Sequence, residues 1–337
     1  MLAYIARRIL MSVFTVWAIS MLAFVIIELP EGDSIDKAID QFMQRGDASN
    51  MEIAQQWREY FGLDRPQYIR YLKWMGNLLR GDLGRSLWHH PCGSRFYERS
   101  IKEVIGDRIW MTVVLTGFTI LVTWIFAIPV GIYSAVRQHS VGDYVFTFVG
   151  FSGLAIPDFL LGLVLMYVAF AYFDQSVGGL FSAEYDAAPW SFAKGLDLLN
   201  HLWVPAVVLG TSGTAGLIRV MRNNLLDELG KPYVVTARAK GVHPLKVIVK
   251  YPVRVAINPL VSTVGWLMPS LISGSIIVSV VLSLPTLGPV LLDAILTQDP
   301  YLAGFIILMA GVLTVIGTLV SDILLAVVDP RIRLVDR

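Results

Sequence analysis

Six stretches of this 337-residue chain are apolar enough to cross a bilayer, and none of them contains a lysine or an arginine. A spanning helix needs about 20 mostly apolar residues. Inside lipid each backbone N–H and C=O must find its partner within the segment, so the spans have to be helices. The runs are Ile9 to Leu29, Ile109 to Val136, Tyr144 to Phe173, His201 to Ile218, Val255 to Leu282 and Leu302 to Val328. The fourth is short and glycine-rich. Asp158 lies in the third and Asp322 in the sixth. Composition agrees: 55 % of residues are hydrophobic and 16 % charged, against about 25 % charged in soluble domains. The same figures exclude a disordered chain. Cys92 is the only cysteine, so no disulfide framework exists, and a net charge of +1 provides no basic field for nucleic acid. The expected fold class is an all-α polytopic membrane protein with a helical loop after the first span.

The first run, 21 residues behind Arg7 and Arg8, is too long for a signal-peptide core of roughly 7–15 residues. It ends in Glu28-Leu-Pro30 without a small-residue cleavage site, so it reads as a retained helix. With the N-terminus inside, the inner segments carry 14 lysines and arginines and the short outer loops carry only Lys194. That asymmetry places both termini in the cytoplasm. The chain divides into a tail and first helix (1–29), an outer loop (30–108) and a five-span core (109–337) with an inner loop at about 222–254.

The outer loop holds 12 basic and 12 acidic residues and has helical apolar spacing. One run is Ile35, Ala38, Ile39, Phe42 and Met43. A second is Ile53, Trp57, Tyr60 and Phe61, stopped by Gly62. A third begins after Pro66 and includes Tyr68, Tyr71, Leu72, Met75, Leu78 and Leu79. Such amphipathic helices serve either as a structural cap or as a docking surface for an extracytoplasmic partner. His89, His90 and Cys92 lie together in this loop. Adjacent histidines chelate one ion poorly and no fourth ligand is visible, so an ordinary loop is the better reading.

The inner loop carries eight of the 14 inner positive charges between Arg219 and Arg254. Its centre reads Tyr233-Val-Val-Thr-Ala-Arg-Ala-Lys-Gly241-Val-His-Pro244. Pro232 is placed to start a helix, Gly241 to end it and Pro244 to start another. Thr236, Ala237 and Ala239 give the first helix small residues, which allow another backbone to approach closely. A solvated basic hairpin is the plain alternative.

Several chemistries are missing. No phosphate-binding G-x-x-x-x-G-K-[ST] run exists; Gly230-Lys231 is followed by Pro232. Neither H-E-x-x-H nor G-x-S-x-G occurs, and the five histidines are scattered. Two intramembrane carboxylates far apart in sequence do not make a proton relay. Energy for uphill transport would therefore come from a partner.

With these residues in view, the chain resembles the inner-membrane permease subunits of oligopeptide, dipeptide and nickel ATP-binding-cassette importers. The resemblance runs through Tyr4-Ile-Ala-Arg-Arg8, Gly62-Leu-Asp-Arg-Pro66, Tyr71-Leu-Lys-Trp74 and Leu79-Arg-Gly-Asp-Leu-Gly84. It continues through Ile128-Pro-Val-Gly-Ile132, Ile156-Pro157 and Thr236-Ala-Arg-Ala-Lys-Gly241 to Asp329-Pro-Arg-Ile-Arg333. It implies the six-helix fold of a type I importer permease in a bacterial inner membrane. It also implies that the inner loop is the coupling (EAA) loop, whose short helix sits in a cleft of an ATPase subunit. The implied contact residues are Thr236, Ala237, Ala239, Lys240, Gly241 and Val242. The motif's glutamate and first alanine fall on Val235 and Thr236, so no glutamate contact is expected. Tyr251-Pro-Val-Arg254 departs too, where a histidine usually stands first. The implied partners are a second permease, two ATPases and a periplasmic or lipid-anchored binding protein. ATP and Mg would be bound by the ATPases, with no cofactor in this chain.

Pathway residues are less legible. The fifth span carries Ser262, Thr263, Ser270, Ser273, Gly274, Ser275 and Ser279 around Pro269. Hydroxyls in spans commonly pack between helices, and Ser270 and Ser273 are the pathway candidates among them. Asp158, after Pro157, either meets a cationic amine of the substrate or is a structural carboxylate beside a kink. Asp322 reads as structural, with Arg331 or Arg333 as partner. The expected function is a permease subunit importing peptides or similar solutes; nickel chelates, haem and oligosaccharides fit the same plan. A secondary carrier or channel would need paired intramembrane charges, and a membrane enzyme would need clustered His, Asp or Glu at one face.

Overall fold

Prolines and small residues decide where the apolar runs bend. The computed structural model describes residues 2–28, 65–86 and 99–328, apart from 174, 177 and 298, and of segment 266–275 it describes the backbone. Helix α1 covers Leu2–Glu28, α2 Gln67–Leu79, α3 Ile101–Val136, α4 Val141–Ala155 and α5 Asp158–Phe173. A short turn α6 (Ala183–Asp186) precedes α7 (Phe192–Leu229). Then come α8 (Pro232–Ala239), α9 (Pro244–Lys250), α10 (Pro252–Ala256), α11 (Asn258–Val281), α12 (Leu287–Leu296) and α13 (Pro300–Val328). Arg85–Ser86 (β1) and Arg99–Ser100 (β2) form a two-residue antiparallel pair, Arg85 opposite Ser100.

Four helical stretches are long and apolar enough to cross a membrane, and six if two bent pairs each count as one span. The third expected span is one such pair: α4 and α5 meet at 105°. Ile156 is extended (φ −87°, ψ 126°) because the ring of Pro157 excludes the helical conformation from the residue before it. At 15 residues, α4 is about 22 Å long. It cannot cross a hydrocarbon layer of about 30 Å alone. The fourth expected span, His201 to Ile218, is the middle of the 38-residue α7, bent by 58° between Thr211 and Gly213. The fifth is delayed, because α10 and α11 are separated at Ile257.

The chain forms two units. The larger comprises Met1–Ser12, Trp110–Pro289 and Leu313–Arg337; the smaller comprises Val13–Ile109 and Val290–Val312. In the larger unit α7 is central and packs against α4, α5, α10 and α11. One of its cores holds Met111, Leu115, Leu202, Val208 and Leu282. Another holds Ala127, Leu217, Met221, Leu225, Val253 and Leu260. Helices α3 and α7 nearly touch at Gly131, where a Cβ would lie 2.6 Å from the Met221 Cβ, so only glycine permits the approach. Of the fifth-span hydroxyls whose side chains are described, Ser262 is exposed while Thr263 and Ser279 pack inward. Thr263 donates to the Leu260 carbonyl at 2.6 Å, and the fully buried Ser279 accepts from Thr286 at 3.0 Å.

In the smaller unit, the third amphipathic run of the outer loop is indeed a helix, α2. Phe24 of α1 meets the Tyr71 and Trp74 rings at 5.4 and 5.9 Å. Ser20 shares a 2.8 Å hydrogen bond with Tyr71. Arg70 pairs with Glu28 at 2.7 Å. Ser86 donates to Asp299 at 2.6 Å, and Asp299 accepts from the Leu302 amide at 3.0 Å, capping α13. The two runs before Gly62 lie outside the described residues.

Candidate functional site

The hairpin α8–α9 follows from its prolines and Gly241. Pro232 and Pro244 each stand in the first turn of their helix, where a missing N–H costs nothing. Gly241 has φ +70°. The Gly241 amide donates to the Arg238 carbonyl at 2.9 Å and the Val242 amide to Ala237 at 3.3 Å, the bonds that close a left-handed helix end. A Cβ at Gly241 would meet nothing within 4 Å, so backbone conformation alone calls for glycine. The expected helix–turn–helix is therefore present. It is shorter than the loop read from the sequence, because Arg219 and Arg222 belong to α7 and the helix runs on to Leu229.

The hairpin has its own core of Val234, Ala237 and Val247, flanked by Val242 and Tyr251. Val234 and Val247 are fully buried, and in water such burial stabilises by about 1.5–3 kcal/mol per side chain. Ala237 belongs to this interior with 7 % exposure, so it corrects the small-residue face: the face does not include Ala237. Thr236, Ala239, Lys240 and Gly241 are exposed and Val242 is half-buried. The Thr236 hydroxyl bonds back to the Pro232 carbonyl at 2.9 Å. Sequence reasoning missed the exposed apolar side chains Tyr233, Val235, Leu245 and Val249. They stand among exposed Lys231, Arg238, Lys240, Lys246 and Lys250. Their signal was present, since Val235 and Leu245 sit where a solvated basic hairpin would carry polar residues. Tyr233 donates its hydroxyl to Glu228 at the end of α7.

A second missed feature lies where α4 meets α7. Asp143 is 3 % exposed. Its carboxylate accepts from Arg222 Nε at 3.2 Å, from Arg222 Nη2 at 3.1 Å and from the His139 amide at 3.0 Å. Ser140 caps α4 by accepting from the Asp143 amide at 3.2 Å. The Ser140-x-x-Asp143 spacing is a readable capping signal; a partner 79 residues away is not. A cleft of about 480 Å³ opens beside the pair, lined by Phe146, Phe151, Ile218 and Arg219 among others. The Arg219 guanidinium lies 4.8 Å from the Phe151 ring centre.

The pathway candidates do not converge. Asp158 is the first residue of α5, half-buried after the break, and has no hydrogen-bond or ion-pair partner among the described residues. Ser270 and Ser273 lie on the α11 backbone, with side chains outside the described ones. Asp322 pairs with Arg8 at 3.2 Å; the expected partners, Arg331 and Arg333, lie outside the described residues. So do His89, His90 and Cys92. Among the described residues no group of three or more His, Cys, Asp or Glu could hold a metal ion.

Bent apolar helices packed on α7, followed in the chain by one basic hairpin, define a polytopic helical membrane component. Residues 127–334 match the inner membrane component of binding-protein-dependent transport systems, and residues 1–116 match the N-terminal part of the membrane component of such systems. The chain belongs to this family. It is 36 % identical over 336 residues to the oligopeptide transport system permease protein AppB of Bacillus subtilis, covering 99 % of this chain and 100 % of the relative. It is 34 % identical to a putative peptide permease of Brucella ovis and 29 % identical to the dipeptide transport system permease DppB of Escherichia coli, with 99 % of both chains covered in each case.

Proposed function

We propose that this chain is a permease subunit of an ATP-driven peptide importer in the inner membrane, and that the hairpin Pro232–Lys250 is where an ATPase partner docks. One observation carries the docking reading. Val235, Leu245 and Val249 are 56 %, 67 % and 62 % exposed on short helices that already have a buried core of their own. Apolar side chains left outward beside basic ones suit a protein partner. Thr236, Ala239, Lys240 and Gly241 are exposed on the same hairpin. Ala237 acts from inside by holding α8 against α9. ATP and Mg are bound by the partner, which hydrolyses the nucleotide; this chain makes no covalent change in the substrate. The inner-loop charges put the hairpin and both termini in the cytoplasm, so a binding protein delivers substrate from the other side. A second permease of the same kind completes the pathway, and the two subunits alternate between outward and inward openings.

The peptide assignment comes from the relatives' substrates, oligopeptides in one and dipeptides in another. The test is purification of the tagged chain from native membranes, with co-purifying proteins identified by mass, followed by ATP-dependent uptake of labelled di- and oligopeptides in proteoliposomes. An ATPase and a second permease in the complex, with uptake that requires the binding protein, is the expected result. A chain that purifies alone and transports without ATP overturns the reading.

A further inference from the structure

We infer that the Asp143–Arg222 pair is a latch that hands movement of the hairpin to the broken span α4–α5; this rests on the docking reading given above. Arg222 is seven residues from the end of α7, about 10 Å along the helix axis. Gly230 and Lys231 then lead directly into α8. The chain leaving the hairpin is tied to the same stretch of α7, because Val253, Ala256 and Leu260 pack with Met221 and Leu225 in one core. The last turns of α7, the hairpin and α10 thus form one connected body, and a push on the hairpin arrives at Arg222.

From Arg222 the push has a directional route to α4. Two guanidinium nitrogens grip the two carboxylate oxygens of Asp143. Such a two-point fork fixes orientation as well as distance. The carboxylate also holds the turn before α4, since it accepts from the amide of His139, which has φ 62°. A non-glycine residue with that backbone needs its surroundings to hold it. Tyr133 locks the same turn, its ring meeting Phe146 of α4 at 5.6 Å. Helix α4 is therefore gripped at its first turn, and at its far end it breaks at Ile156 into α5, which begins with Asp158. Other contacts between α4 and α7 are less directional: the Arg219 guanidinium lies 4.8 Å from the Phe151 ring centre, and a Cβ on Gly150 would lie 3.4 Å from that of Ala215. Neither fixes orientation at two points as the charged fork does.

A buried pair of this kind is weak evidence for stability, because replacing both partners by apolar residues is often neutral, whereas removing one leaves a buried charge. That asymmetry separates a latch from a structural pair. In complexes with the ATPase, reconstituted with the binding protein, peptide uptake and ATP hydrolysis are measured together. The double variant Asp143→Leu/Arg222→Met should assemble and keep basal ATP hydrolysis, yet lose binding-protein stimulation, with peptide moved per ATP falling at least about tenfold. Arg222→Lys keeps the charge and gives up the fork. It should assemble normally with a smaller fall of about threefold in the same ratio. Wild-type peptide-to-ATP ratios in an assembled double variant, or in Arg222→Lys, overturn the latch. A wild-type chain that neither binds nor stimulates an ATPase overturns the docking reading instead.

Discussion

The two ends of α7 are finished in opposite ways. At its start the chain satisfies its polar groups internally. Ser191 caps the helix by accepting from the Lys194 amide at 3.2 Å. The Lys194 ammonium is 6 % exposed, donates to the carbonyls of Asp186 and Ala188 at 3.2 and 2.7 Å, and lies 4.7 Å from the Phe181 ring centre. Asp197 accepts from the amide and hydroxyl of Ser182 at 2.8 and 2.6 Å. His201 Nδ1 lies 2.8 Å from the Asp197 carbonyl, and its Nε2 lies 3.3 Å from Ser176. The exposed Trp190 here is an aromatic of the kind enriched at membrane–water interfaces. At the other end, α8 and α9 share a core of three buried residues and turn Val235, Leu245 and Val249 outward. The first end is complete within the chain. The second leaves apolar side chains outward beside basic ones, the face where an ATPase partner is proposed to dock.

The largest effect is expected from charging the hairpin's interior. Val247→Asp or Ala237→Glu places a carboxylate among Val234, Val242 and Tyr251. It should cost about 3 kcal/mol or more locally, open the hairpin to limited proteolysis and abolish uptake while the chain still inserts. A protease-resistant hairpin with normal uptake would remove the core from the account. Next in size is the outer face. Leu245→Asp with Val249→Asp should leave the proteolytic pattern unchanged and cut ATPase co-purification at least about tenfold; undiminished co-purification would mean that the partner sits elsewhere.

At the opposite end of α7, Lys194→Met should lower the thermal stability of the detergent-solubilised protein by about 2 kcal/mol, since two carbonyls lose a charged donor. Uptake by the surviving folded protein should stay within about twofold. A transport defect without a stability loss would show that this end is not merely scaffold. Gly241→Asn should cost less than about 1 kcal/mol because asparagine tolerates the left-handed cap, while Gly241→Val costs more; equal hairpin stability of the two variants would contradict the φ argument. Smallest of all, Arg8→Met removes a half-exposed partner of Asp322, worth under about 1 kcal/mol in melting.

Legibility from the residues followed the range of the forces involved. Apolar runs of span length and the proline–glycine punctuation of the hairpin are local signals, and Pro232, Gly241 and Pro244 stand where they were expected. The amphipathic spacing of Tyr68 to Leu79 became α2 for the same reason. Local signals also misled. An uninterrupted apolar run from Tyr144 to Phe173 reads as one span, although the pre-proline residue Ile156 breaks it by 105°. The Arg219–Arg254 run of charge reads as loop, although its first two arginines ride on α7.

The sequence by itself therefore determined a helical membrane chain with one structured basic hairpin, because hydropathy and backbone conformational preference act within a few residues. Tertiary structure alone decided that Ala237 faces inward while Val235 and Leu245 face out. It also decided that Arg8 answers Asp322, and that Asp143 meets Arg222 across 79 residues. A buried charge must be paired wherever the fold puts it, and the fold, not the spacing of residues along the chain, chooses which partner is near.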